Sequence, residues 1–132
     1  MTLLDAADDN MLSDCEADQT ISGAISGGDD DWFSYWGLDS ACPGDLQPHA
    51  IVVSADPVDV CVYLAPSGDS DPPTCIEGTP AVDGSYAGCC GTTTARLQFG
   101  GLVQNDDAHV RIVLSPSTPA CVEYSMTYGF GD

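Results

Sequence analysis

The chain has 132 residues, and its 21 aspartates and glutamates are balanced by only two lysines or arginines, which leaves a formal net charge of −19. That length is enough for one domain with a hydrophobic core, and an apolar content of 43% is ordinary for a globular protein. The charge repels nucleic acid and anionic membranes, and no apolar run approaches the length needed to cross a bilayer. We therefore predict a single domain over residues 1–132, with no nucleic-acid partner and no membrane insertion.

Seven segments beyond residue 18 have the composition of β-strands and are separated by glycine, proline, aspartate and serine. In chain order they are residues 20–26, 31–37, 49–55, 58–65, 95–99, 108–115 and 121–130. The segment 58–65 places four aliphatic side chains on one side, and in 121–130 apolar or aromatic side chains alternate with polar ones. No helical period appears beyond residue 20. The pattern predicts an all-β fold, a jelly-roll-like antiparallel β-sandwich of about seven to eight strands.

Two regions lie outside this strand pattern. Residues 1–18 form an acidic N-terminal segment, which we predict packs on the sandwich. The stretch from Ala65 to Thr94 is predicted to be an irregular loop of about thirty residues, which is unusual in a compact domain. Disulfides formed by its cysteines, Cys75, Cys89 and Cys90, are expected to hold it.

The chain has seven cysteines, at positions 15, 42, 61, 75, 89, 90 and 121. They lack the C-x-x-C spacing of zinc ribbons and thioredoxin-like sites, and they predict a disulfide-stabilised fold. Six paired cysteines allow fifteen connectivities. We expect the adjacent Cys89 and Cys90 to bridge to different partners, and we expect Cys15 to be the odd cysteine because it precedes the first strand. The odd cysteine is a free thiol, an intermolecular link, or half of a bridge to another chain.

The disulfide framework and the acidic surface together predict an extracellular protein, secreted or displayed at the cell surface. The opening residues have neither the basic nor the apolar region of a signal peptide. For an exported protein, we therefore expect that a leader has been removed.

Acidic residues cluster at two places, in "DAADDN" at 5–10 and in three consecutive aspartates between the first two predicted strands. Calcium takes six to eight oxygen ligands, usually including several carboxylates. If the N-terminal segment folds back over the strand junction, these clusters meet and form a calcium site. The candidate ligands are Asp5, Asp9, Asn10, Asp29 and Asp31. Two considerations weigh against this prediction: aspartates commonly only mark turns, and the chain has no EF-hand pattern.

Three features of the chain resemble the bacterial pre-peptidase C-terminal domain family. Thr20–Ile25 matches the family's first strand, Asp29–Phe33 matches its D-x-D-W/Y-[FY] opening of the second strand, and Tyr124–Tyr128 matches its closing strand. The resemblance implies a β-sandwich that is an accessory, non-catalytic part of exported proteins. The chain would be a cysteine-rich variant, since the usual member has few cysteines.

The resemblance also implies a calcium site, because some members of the family bind calcium between the acidic segment and the Asp-x-Asp turn. Asp9 and Asn10 would take the family's Asn-Asp positions, and Asp29 and Asp31 would be the turn ligands. The family's Glu-Pro pair is missing, since Ala7 and Asp8 stand in its place. We expect Asp5 to compensate for the ligand lost there.

The chain contains no sequence pattern of a known catalytic site. It has no nucleophile elbow, no zinc-protease motif, no phosphate-binding loop and no dinucleotide fingerprint. His49 and His109 are predicted at the surface or at strand edges rather than beside a nucleophile, and chance pairs among so many carboxylates are uninformative. We therefore predict that the protein is not an enzyme; a hydrolase of unrecognised type is the weaker alternative.

These observations favour a non-catalytic, secreted, calcium-stabilised β-sandwich module. It would bind or adhere to an extracellular polymer or protein surface through exposed aromatic side chains such as Tyr63, Tyr86 or Phe130. The alternative is a structural subunit of an extracellular fibre or surface assembly, which would self-associate through sheet edges or an intermolecular disulfide.

Overall fold

The computed structural model of the protein describes residues 3–4, 11–40, 42, 46–66, 73–99 and 107–131. Strands make up most of this part of the chain, and no helix in it is long and apolar enough to cross a membrane. The strands are β1 (Leu3–Leu4), β2 (Met11–Ser13), β3 (Gln19–Ile25), β4 (Asp31–Leu38), β5 (Leu46–Ser54), β6 (Val58–Pro66), β7 (Thr74–Glu77), β8 (Thr79–Asp83), β9 (Tyr86–Thr92), β10 (Thr94–Gln98), β11 (Ala108–Pro116) and β12 (Val122–Gly131).

The strands form two sheets. The larger sheet has the order β1-β4-β11-β6-β9-β8, with β2 also paired to β4, and the smaller sheet has the order β3-β12-β5-β10-β7. Pairing is antiparallel except where β1 and β2 run parallel to β4. The long strands alone give β4-β11-β6-β9 in one sheet and β3-β12-β5-β10 in the other, which is the strand order of a jelly roll. The predicted all-β, jelly-roll-like, disulfide-stabilised sandwich is confirmed.

The strand count of seven to eight was too low. All seven predicted strands are present, each within three residues of its predicted ends, but the described residues contain twelve. The predicted loop between Ala65 and Thr94 contains β7, β8 and β9. Glycine, proline and the adjacent cysteines obscure the alternation of apolar and polar residues there. Hydrogen bonding of β9 to β6 and of β7 to β10 stabilises strands that the local sequence pattern does not predict.

The core lies between the two sheets, and the residue alternation decides which side chains enter it. Four consecutive inward positions of β6 are fully buried: Val58, Val60, Val62 and Leu64. From β4, Phe33 and Tyr35 point inward, so Trp32 and Trp36 lie on the outer face. Phe130 is also buried, which corrects the prediction that it is exposed. Its ring packs against Gly37, where a Cβ atom would come within 2.2 Å of it.

Three disulfides join Cys15 to Cys42, Cys61 to Cys90, and Cys75 to Cys89. The prediction for the adjacent cysteines is confirmed: neighbouring residues of a strand point to opposite faces, so Cys90 meets β6 and Cys89 crosses the core to β7. The bridges indicate an oxidising compartment.

The prediction that Cys15 is unpaired was wrong, since the free and exposed cysteine is Cys121. β2 runs beside β4 from Trp36 to Leu38. Cys15 therefore follows β2 at the same end of the sheet at which Cys42 follows β4, and the two can bridge.

Candidate functional site

The outer face of the larger sheet collects aromatic side chains from four neighbouring strands, β4, β11, β6 and β9. Register places Trp36 beside His109 and places Arg111 beside Tyr63. We call the aromatic patch the set Trp32, Trp36, Tyr63, Tyr86 and His109. Tyr63 is buried at the base of the patch. The other four side chains are half-buried, so part of each of their rings is accessible.

Three rings of the patch, those of Trp36, His109 and Tyr86, contact one another in series. The centroids of Trp36 and His109 lie 6.1 Å apart, and those of Tyr86 and His109 lie 5.9 Å apart. The Tyr86 hydroxyl is 2.7 Å from His109 Nδ1, which sets the orientation of both rings. A histidine and a tyrosine held in this way form a rigid surface rather than two mobile side chains.

Arg111 links the two ends of the patch. Its guanidinium carbon lies 4.0 Å from the Tyr86 ring centroid and 5.3 Å from the Trp32 ring centroid. Guanidinium groups are attracted to aromatic faces, and the attraction grows as water is excluded. Arg111 Nη1 also donates to Asp83 Oδ2 at 3.3 Å, and both groups keep accessible surface, at 29% for Arg111 and 44% for Asp83. The patch therefore presents an adjacent donor and acceptor among its rings.

Tyr63 lies beneath these groups and is 9% exposed. Burial raises the pKa of its phenol, the Asp83 carboxylate raises it further, and Arg111 lowers it. Of the aromatics predicted to be exposed, Tyr86 lies in the patch, Tyr63 lies at its base, and Phe130 lies in the core. The prediction missed Trp32 and Trp36, although their alternation with Phe33 and Tyr35 places the two pairs on opposite faces.

A separate group of polar side chains, centred on His49, lies on the outer face of the smaller sheet. His49 is only 2% exposed, which corrects the prediction that it is a surface or strand-edge residue. Its Nε2 is 2.8 Å from Asp18 Oδ2, and its Nδ1 is 2.7 Å from the Gln47 carbonyl oxygen. Asp18 can cover the imidazole because the neighbouring Gly129 has no side chain; a Cβ there would lie 2.1 Å from Asp18 Oδ1. Both ring nitrogens of His49 are thus engaged in structural contacts.

The candidate calcium ligands fall into three groups. Asp29 is exposed in the turn before β4, where its carboxylate is accessible to a cation. Asp31 is buried at the start of β4, and its Oδ2 accepts a 2.6 Å hydrogen bond from the Tyr124 hydroxyl of the opposite sheet. Asp5, Asp9 and Asn10 lie outside the described residues. Their carboxylate and amide oxygens suit calcium in kind.

Within the described part of the chain, one group of side chains is close enough together to suggest a metal, namely Asp14, Cys15 and Cys42. Its two sulfurs are bonded to each other, so neither is the thiolate that binds metals. Asp14 Oδ1 instead accepts a 2.8 Å hydrogen bond from the Ser40 amide. With the bridge intact, this group is a structural junction between the end of β2 and the end of β4.

Comparison with protein-family models, with curated proteins and with solved structures finds no match to this chain. Fold alone does not determine function, since jelly rolls serve many purposes. The function must therefore be argued from the residues of the aromatic patch and from the charge around them.

Proposed function

We propose that the protein is a non-catalytic extracellular module that binds an extracellular polymer or surface through the aromatic patch. The observation that carries the proposal is the continuous series of half-buried rings and one guanidinium on the outer face of the larger sheet. Tryptophan, tyrosine and arginine are the side chains that most often dominate binding energy at recognition surfaces. The sheet beneath them holds the rings rigidly, which lowers the entropic cost of binding.

Two further observations support a module over an enzyme. His109 is engaged by Tyr86 at Nδ1 and its Nε2 is buried, and both nitrogens of His49 are engaged by Asp18 and Gln47. A general base needs a nitrogen directed at the proton that it removes. The three disulfides suit an exported protein, and the resemblance to pre-peptidase C-terminal domains, which are accessory modules, agrees with this role.

The binding proposal is tested with Trp36→Ala and a panel of insoluble polymers, namely cellulose, chitin, collagen and peptidoglycan. We expect the wild type to bind at least one of them, and we expect the variant to bind it about 30-fold more weakly, which corresponds to about 2 kcal/mol. Pull-down isotherms measure both values. Val53→Ala is the matched control, because Val53 is 70% exposed on the outer face of the other sheet.

A wild type that binds no polymer, or a Trp36→Ala variant that binds like Val53→Ala, contradicts the proposal. The alternative is then a structural subunit, which the exposed thiol of Cys121 favours. Assembly through an intermolecular disulfide would give linked species on size exclusion without reductant that disappear in Cys121→Ser, whereas assembly through sheet edges would give oligomers that persist in that variant.

We also propose that calcium stabilises the module, held by Asp29 and Asp31 together with Asp5, Asp9 and Asn10. β1 lies near the acidic turn, because Leu3 and Leu4 pair with Trp32 and Phe33, the two residues after Asp31. Both β1 and β2 run parallel to β4 and away from this turn, so the proposed ligand set requires the segment between them to bend back toward Asp29 and Asp31. A cation would offset part of the repulsion in a chain of net charge −19.

Calcium is expected to raise the thermal midpoint relative to chelator, because a ligand that binds only the folded state stabilises it. At one hundred times the dissociation constant the gain is about 2.7 kcal/mol, or about 10 °C for a chain of this size. Asp29→Asn should remove most of the shift while preserving side-chain volume. The exposed Asp56, in the turn between β5 and β6, gives the control Asp56→Asn, which should keep the shift. An unchanged wild-type midpoint would exclude calcium.

A further inference from the structure

We infer that the polymer bound by the aromatic patch is an uncharged polysaccharide. This inference rests on the proposed function, which assigns binding to the patch, and adds the chemical class of the ligand. It follows from the charge of the patch, from the groups that it exposes, and from the spacing of its two tryptophans.

The charge of the molecule disfavours a polyanion. The chain carries a net charge of −19, and Arg111 is the positive group that lies against the rings of the patch. Its charge is balanced by Asp83 at 3.3 Å. The patch therefore offers no net positive charge to overcome the repulsion between the protein and an acidic polymer. Aromatic rings add no charge, so stacking and hydrogen bonding remain as the attractive forces.

Sugar rings match the two kinds of surface that the patch exposes. A pyranose has C–H bonds on its faces and hydroxyls around its rim, and the electron-rich face of Trp36 suits the C–H bonds. Each hydroxyl both donates and accepts, so neighbouring hydroxyls can donate to the Asp83 carboxylate and accept from the Arg111 guanidinium. The partly accessible Arg111–Asp83 pair presents these two functions side by side.

The tryptophan spacing favours a chain of sugars over a single sugar. Trp32 and Trp36 lie four residues apart on β4 and point to the same face, so their Cα atoms are separated by about 13 Å. Arg111, opposite Ser34 in the register, lies between them. One sugar ring cannot cover both indoles, whereas an oligosaccharide can extend along the strand. Affinity is therefore expected to increase with the length of the oligosaccharide.

The test is affinity electrophoresis in gels containing neutral polymers (hydroxyethylcellulose, glucomannan, soluble starch or glycogen) or acidic polymers (polygalacturonate, hyaluronan or heparin), at 20 mM and 500 mM NaCl. We expect retardation by at least one neutral polymer, with a dissociation constant that changes less than about twofold between the two salt concentrations. Trp36→Ala should abolish the retardation. Trp36→Phe, which keeps an aromatic ring, should retain most of the retardation. That result would show that the loss in the alanine variant does not come from misfolding.

Trp36-dependent retardation by acidic polymers alone, falling steeply with salt, would overturn the inference while leaving the binding module intact. Trp36-dependent binding to collagen but to no polysaccharide would do the same. If the protein binds no polymer in these gels and none in the pull-down panel, the proposed function itself is overturned. The two failures are therefore distinguishable.

Discussion

Replacing Cys75 and Cys89 together by alanine is expected to lower the free energy of unfolding by about 3 kcal/mol. The bridge closes a segment with a sequence separation of 14, and the entropy that such a crosslink removes from the unfolded chain amounts to about that value. It also joins the two sheets through the core, where Cys89 is fully buried. Changing both residues avoids leaving a lone thiol, and alanine avoids burying an unsatisfied hydroxyl.

The loss should be greatest around β7. This strand has four residues, three of them exposed, and it lies at the edge of the smaller sheet, held by pairing with β10 and by the bridge. Urea unfolding measures the global change, and amide exchange at Thr74–Glu77 measures the local one. Cys121→Ala, at an exposed free cysteine, is the control and should change stability by less than about 0.5 kcal/mol. A loss below about 1 kcal/mol in the double variant would show that the bridge does not constrain the fold.

Stability is expected to fall as the pH rises above about 10, the ordinary pKa of tyrosine. Burial raises the pKa of Tyr35, and the nearby Tyr128 and Asp18 raise it further. Burial also raises the pKa of Tyr124, and its hydrogen bond to Asp31 adds to the effect. Both hydroxyls bond across the core, Tyr35 to the Gly129 carbonyl and Tyr124 to Asp31, so each is held in its neutral form.

The sign follows from proton counts in the two states. Above pH 10 the unfolded chain releases protons that the folded chain keeps on these two phenols, so alkali favours unfolding. The stabilisation from each phenol is complete at pH values below its pKa in the unfolded chain. As the pH rises from that value toward the phenol's pKa in the folded chain, the free energy of unfolding falls by about 1.4 kcal/mol per pH unit for each group. Tyr124 alone loses about 2 kcal/mol between pH 10 and 12, and Tyr35 adds to the loss. The chain has no lysine, so no ammonium side chain obscures the effect.

Tyr124→Phe isolates one of the two groups. At neutral pH it should lower stability by about 2 kcal/mol, because the buried Asp31 carboxylate loses a hydroxyl donor. That difference should shrink as the pH rises, since the variant no longer carries the titrating phenol. Urea unfolding between pH 8 and 12, in a Cys121→Ser background to prevent thiol exchange, measures both curves. Curves that stay parallel would contradict the assigned pKa shift.

Local periodicity determined the fold class and most of its strands. Alternating side chains in 58–65 and 108–115 predict an inner and an outer face, and the observed burial of β6 and β11 follows that alternation. The stretch between Ala65 and Thr94 was misjudged because the repeat of two is broken by glycine, proline and cysteine. Its strands exist because β10 pairs with β7, β6 pairs with β9, and β9 in turn pairs with β8.

The candidate site was predictable in composition but not in arrangement. The sequence alone shows that 31–37 has aromatic side chains on both faces, but not that the tryptophans are the ones on the outer face. That the Trp36 ring contacts His109, and that Arg111 lies over Tyr86, depends on the register among β4, β11, β6 and β9. Register is set by the whole sheet, and shifting one strand by one residue would exchange its two faces.

Contacts between residues far apart in the chain were decided only by the tertiary structure. The sequence itself determined an acidic, disulfide-linked β-sandwich, because charge, cysteine number and a period of two are local properties. It did not determine that Cys15 pairs with Cys42, that Asp18 covers His49, or that Tyr124 bonds Asp31. Each of these depends on which strands become neighbours, and that choice minimises the free energy of the entire core rather than of any one segment.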